Sequence, residues 1–166
     1  SGVAGRAPLP FSARPFLTNR SNPSPRACSK PARTQTRFAK WRTFSFDTTG
    51  AEKYVLRIKN LETGTLLPDV VHPLYQIAWA NDNKTIFYVR SEDPDVESPM
   101  QLFRHILGTS QKDDVLVYQE NDFAYGIGIE RSRSRKFLFL ECGTTETNEW
   151  WYLSADDPFG EFSDAR

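Results

Sequence analysis

Two short runs, Ile86 to Val89 and Phe137 to Leu140, are apolar at every position and sit inside a string of strand-like segments separated by turn residues. A strand places successive side chains on opposite faces, so a run apolar throughout needs cover above and below. That requirement excludes a lone sheet with one wet side. Elsewhere the period of two is clean: in Tyr54 to Lys59, Tyr54, Leu56 and Ile58 share one face, and Val55, Arg57 and Lys59 share the other. The turn signal Glu62-Thr63-Gly64 closes this strand.

Four further strands follow as an antiparallel meander: Gln76 to Ala80, Thr85 to Arg90, Gln101 to Leu107 and Asp114 to Glu120. The first two flank Asn81-Asp82-Asn83-Lys84, where Asx residues bond their own chain and tolerate left-handed backbone. A second meander runs through Tyr125 to Glu130, Lys136 to Cys142 and Glu149 to Ala155. Placing Ile77 over Ile127 and Ile86 over Phe137 gives offsets of 50 and 51 (127 − 77 and 137 − 86). A four-stranded unit at that spacing has the size of a propeller blade. The expected fold is therefore all-β, a partial β-propeller of about two four-stranded antiparallel blades, with a two-sheet sandwich as the alternative.

Charge divides the chain. Residues 1–46 hold nine Lys or Arg and no acidic residue, so the other 120 carry 12 basic residues (21 − 9) and all 21 acidic ones. Residues 1–43, rich in Pro, Ser and Arg without a hydrophobic period, read as a disordered segment preceding the propeller of residues 44–166. An organellar transit peptide or a nucleic-acid-binding arm are the sharper readings of that front. No run of eighteen apolar residues occurs, so no membrane helix is expected. Cys28 and Cys142 form no disulfide framework and point to a reducing compartment. Asn19-Arg20-Ser21 and Asn83-Lys84-Thr85 fit the glycosylation pattern, but without an export signal they read as unmodified.

The stretches Asp47 to Arg57, Leu61 to Gly64, Trp79 to Tyr88, Phe103 to Thr109, Asp114 to Tyr118 and Ser132 to Lys136 resemble, in order, the propeller of the oligopeptidase B branch of the prolyl oligopeptidase family. The resemblance covers about residues 44–162; residues 1–43 do not resemble the family's helical N-terminal region. It implies a two-domain serine peptidase in which a seven-bladed propeller caps an α/β-hydrolase domain, admits short peptides and excludes folded proteins. In this branch cleavage follows Lys or Arg. The implied partners are the hydrolase domain and the remaining blades of the same polypeptide, with short peptides as substrates. The implied location is the cytoplasm, or a plastid or mitochondrion if residues 1–43 are a leader.

The chemistry of such a peptidase needs Gly-x-Ser-x-Gly followed by an acid and a histidine, and that elbow motif is absent from the sequence. We therefore expect no catalytic, cofactor-binding or metal-ligating residue in this chain, and no cofactor. His105 reads as a packed blade residue and His72 as part of a connection between strands; 33 positions apart, they lack the spacing of a zinc site. The stretch Glu92 to Glu97 lacks the glycine of a calcium loop and reads as solvated. Arg131, Arg133, Arg135 and Lys136 read as a charged hairpin tip, and Trp150-Trp151-Tyr152 as packing between blades. Outside the peptidase reading, a non-catalytic β-rich interaction module is the alternative.

Overall fold

The computed structural model describes residues 40–47, 50, 53–91 and 99–165. The expectations for most of the basic front, Cys28 and the stretch Glu92 to Glu97 lie outside the described residues.

The described residues form three antiparallel sheets. The first contains β1 (Trp41–Phe46), β2 (Tyr54–Asn60) and β3 (Leu66–Leu74). The second is β4 (Gln76–Trp79), β5 (Thr85–Ser91), β6 (Met100–Ile106) and β7 (Val115–Glu120). The third is β8 (Gly126–Arg131), β9 (Phe137–Gly143), β10 (Asn148–Ser154) and the two-residue β11 (Ser163–Asp164). Each sheet is a meander in which neighbours in sequence are neighbours in space.

Two meanders were expected, one of four strands and one of three; both are present, and the two-residue β11 adds a fourth strand to the second. A three-stranded sheet replaces the single strand expected before them, and it opens at Trp41, three residues ahead of the expected boundary at 44. The basic composition of the front masked β1. Pro68 and Pro73 masked β3, because proline donates no ladder hydrogen bond and argues against a strand. β3 accommodates them with register shifts against β2 and a cis peptide at His72–Pro73.

The core lies between the sheets. Leu56, Ile58 and Val71 of the first sheet pack on Trp79, Ile86 and Tyr88 of the second. On its other side the second sheet turns Ala78, Phe87, Val89 and Leu102 toward Ile127, Ile129, Leu138 and Leu140 of the third. Ile86 to Val89 are all fully buried, as a strand covered on both faces requires. Phe137 to Leu140 instead alternate, with Leu138 and Leu140 buried and Phe137 36% exposed, because the third sheet has cover on one side among the described residues.

The repeat is corrected by the same pattern. Ile86 and Leu138 both face the preceding sheet, an offset of 52 (138 − 86). The left-handed turn residues Asn83 (φ 55°) and Arg135 (φ 63°) are also 52 apart (135 − 83). Pairing Ile86 with Phe137 slips the register by one residue and moves the side chain to the opposite face. The offset of 50 between Ile77 and Ile127 differs from 52 by two and so preserves the face.

Candidate functional site

Several polar side chains lie where one sheet meets the next. β4 and β8, the first strands of their sheets, run side by side: Gln76 on β4 reaches across so that its Oε1 accepts from Ile129 N at 3.0 Å. That side chain also occupies the space over Gly128, where a Cβ would lie 3.0 Å from the same oxygen. A side chain at 128 would crowd the Gln76 amide and disturb its bond to Ile129 N, which favours glycine there.

Between the first and second sheets sits His105, wholly buried on β6. Its Nδ1 lies 2.7 Å from Asp114 Oδ1 and its Nε2 lies 3.1 Å from Asp69 Oδ1. Asp69 on β3 also accepts from Gly108 N at 2.5 Å, so the turn after β6 is tied to the first sheet. Asp114 holds the Tyr88 hydroxyl at 2.8 Å through its other oxygen, and Gln111 joins Tyr88 to the His72 backbone carbonyl. Burial alone would strip the proton from His105. The hydrogen bonds and charges of Asp114 and Asp69 outweigh it and raise the imidazole above its ordinary value. A protonated ring donating from both nitrogens satisfies this geometry, and burial pushes the Tyr88 phenol up as well. The ring has no exposed edge for a substrate, so the geometry is that of an inter-sheet clamp.

Between the second and third sheets the joint is Asn81, in the turn after β4. Its Nδ2 donates to Arg135 O at 2.9 Å and to Asp156 Oδ1 at 2.8 Å, while its Oδ1 accepts from Arg131 at 3.3 Å. Its backbone N donates to Ala155 O at 2.8 Å. Asp82 closes the same turn by accepting from Lys84 N and Thr85 N. Farther along, Arg104 donates to Pro158 O at 3.0 Å and stacks 4.6 Å over the Phe159 ring. Its Nε and Asp69 Oδ2 are the buried side-chain atoms without a hydrogen-bond partner among the described residues.

A third cluster joins β7 to β9. The Tyr118 hydroxyl donates to Glu120 Oε2 at 2.8 Å and the Cys142 thiol points at the same oxygen at 3.3 Å. Burial, reinforced by Glu120, pushes the Cys142 thiol up to about 12, which leaves it protonated and a poor nucleophile.

The singled-out residues separate. His105 is packed, as expected, but its two carboxylate partners had no local signal, since Asp69 is 36 positions away. His72 lies on the exposed edge with Nδ1 3.3 Å from Tyr54 O. Of the basic tip, Arg131 is half-buried at the joint, whereas Arg133, Arg135 and Lys136 are exposed. Trp151 packs on Tyr118 of the second sheet, as inter-blade packing requires. Tyr152 turns the other way, edge-on to Phe137. Among the described residues no group of three or more His, Cys, Asp or Glu is placed to hold a metal ion, and no helix is long and apolar enough to cross a membrane.

Antiparallel sheets packed face to face around adjoining first strands, with β7 and β11 at the far edges, are wedges of a β-propeller. Residues 37–164 match the model of the prolyl oligopeptidase N-terminal β-propeller domain, and the chain belongs to that family. It is 38% identical over 116 residues to dipeptidyl aminopeptidase BI of Pseudoxanthomonas mexicana, covering 69% of this chain and 16% of that protein. It is 33% identical over 112 residues to protease 2 of Moraxella lacunata, covering 66% of this chain and 16% of that one. Oligopeptidase B from Leishmania major shares the fold with a TM-score of 0.67 at 23% identity, over 76% of this chain and 18% of its own. Oligopeptidase B from Trypanosoma brucei does so with a TM-score of 0.65 at 23% identity, over 76% and 17% respectively. The chain thus spans about a sixth of the length of the curated relatives it matches.

Proposed function

We propose that this chain is part of the substrate-gating propeller of an oligopeptidase B-like serine peptidase, that it contributes no catalytic group, and that the complete enzyme cleaves short peptides after Lys or Arg. The reading is carried by the first and third sheets, each of which presents an apolar outer face: Phe44 and Phe46 at one end are 39% and 40% exposed, and Phe137 and Tyr152 at the other are 36% and 37% exposed. Faces of that kind are covered by neighbouring wedges in a closed ring. The buried groups described above face other sheets rather than solvent, which suits a wall and not a reaction centre. The peptide bond would be broken on the α/β-hydrolase domain of the same polypeptide, with the propeller limiting which chains arrive there. We place the complete enzyme in the cytoplasm; residues 1–43 fused to a fluorescent protein should leave it cytosolic, and import into a plastid or mitochondrion would overturn that placement.

The test is a graft. Residues 41–165 replace the matched segment of the Pseudoxanthomonas mexicana relative, and hydrolysis of fluorogenic peptides ending in Arg, Lys or Ala is compared with that of a folded protein substrate. The graft should keep its parent's turnover of short peptides and its exclusion of folded protein, while the 166-residue chain alone turns over neither. Hydrolysis by the chain alone, or a folded graft that has lost gating, would refute the proposal.

A further inference from the structure

The two joints between sheets are built from different chemistry. At the first, the buried His105 ring faces Asp114 of its own sheet through Nδ1 at 2.7 Å and Asp69 of the neighbouring sheet through Nε2 at 3.1 Å. An ionised carboxylate only accepts, so both contacts are hydrogen bonds only while the ring carries both protons. The two partners are unequal. Asp114 also accepts from the Tyr88 hydroxyl, whereas Asp69 Oδ2 is buried with no hydrogen-bond partner among the described residues, and its Oδ1 has Gly108 N besides the ring. A ring with one proton therefore keeps it on Nδ1, at the shorter contact, and turns the Nε2 lone pair on the Asp69 carboxylate.

The other titratable or charged groups around this joint are Tyr88 and Arg90 on β5, His72 on β3, and Lys112 and Asp113 in the turn ahead of β7. Burial pushes the Tyr88 phenol up, and Arg90 lies 4.3 Å over the Phe103 ring. His72 is exposed with its Nδ1 3.3 Å from Tyr54 O, and Lys112 and Asp113 are exposed as well. From β2 the inward side chains are Leu56 and Ile58. The second joint, built on Asn81, holds no histidine, and burial pushes both its phenol, Tyr118, and its thiol, Cys142, up.

We propose that His105 is a pH-operated latch between the first and second sheets: protonated, it bridges Asp114 to Asp69 and shuts the joint; neutral, it keeps Asp114, releases Asp69 and lets β3 part from the turn after β6. The proton leaves to solvent, and water takes its place beside Asp69. The second joint stays shut over the same range, so the wall loosens at one seam and not at both. The proposal rests on the propeller fold and not on the peptidase reading.

Hydrogen exchange followed by mass spectrometry on the graft tests it, because there both outer sheets have their neighbours. The amides of Gly108 and His72 bond across the first joint, to Asp69 and Gln111; those of Asn81 and Ile129 bond across the second, to Ala155 and Gln76. With intrinsic exchange rates divided out, protection at Gly108 and His72 should fall as the pH rises past neutral, on the order of ten- to a hundredfold, the worth of one charge-assisted hydrogen bond. Protection at Asn81 and Ile129 should hold. His105→Gln should abolish the pH dependence, Asp69→Asn should move the loss to lower pH because one of the two carboxylates that hold the proton is gone, and His72→Gln should leave the loss at Gly108 in place. Protection at Gly108 that ignores pH, equal loss at both joints, an unmoved midpoint in Asp69→Asn, or a loss that needs His72 would each overturn the proposal. Hydrolysis plays no part in this readout, so the latch and the gating proposal fail independently.

Discussion

His105 shows what one side chain contributes when two sheets supply its partners. Removing the imidazole leaves Asp69 and Asp114 buried without the cation between them, and breaking such a pair costs about 3 to 5 kcal/mol. His105→Gln should therefore lower the urea midpoint of the graft sharply. The sign of the pH dependence follows from the raised folded-state value. Its stabilisation is complete below the unfolded-state value of about 6.5, declines above it, and is gone once pH exceeds the folded-state value. Urea titrations at stepwise higher pH should show this decline, and His105→Gln should flatten it. Cys142 gives a second readout at this scale. With its thiol pushed up to about 12 by burial, it should resist iodoacetamide at neutral pH in a Cys28→Ser background and react once urea opens the sheets. That His105 would be packed was legible from its place in an apolar strand. That its proton would be held by two carboxylates was not, because Asp69 lies on β3 of the first sheet and Asp114 in the connection just before β7 of the second.

At the scale of the element, the turns are the best-determined features. Asn81 to Lys84 announces a hairpin through its Asx residues, and Asp82 makes the capping bonds that such residues favour. The matching turn of the third sheet puts Arg135 at φ 63°, a conformation that costs an ordinary L-residue about 1 kcal/mol or more. Arg135→Gly should raise the thermal midpoint slightly, since the backbone carbonyl that receives Asn81 remains. Central strands carry the opposite prediction. Phe87 is fully buried and meets Phe162 edge-on at 6.1 Å, so Phe87→Ala should cost about 3 to 5 kcal/mol in chemical denaturation of the graft. Strands β1 and β3 escaped the sequence reading for a physical reason: their ladder bonds come from neighbours, so neither a basic composition nor two prolines prevents pairing once β2 supplies the template.

For the molecule as a whole, cohesion comes from the surfaces between sheets, and each sheet needs a neighbour on both sides. The second sheet has both, and its β5 is buried at every position but Arg90; the outer two leave aromatic side chains uncovered. The 166-residue chain should therefore bind a hydrophobic dye such as ANS under conditions where the graft does not. Equal, low fluorescence from both would contradict this.

The order of short alternating and two-sided runs, by itself, determined an all-β chain of repeated meanders and the hairpin positions within it. Those properties depend on residues a few positions apart, whose periodicity and turn chemistry act locally. Tertiary structure alone decided the true repeat of 52, which faces meet, and that Asp69 and Asp114 both reach His105, because each depends on how far one sheet slides against the next. A one-residue slip leaves composition and spacing nearly unchanged yet exchanges buried for exposed, and only the packed neighbour on the other face selects between the two.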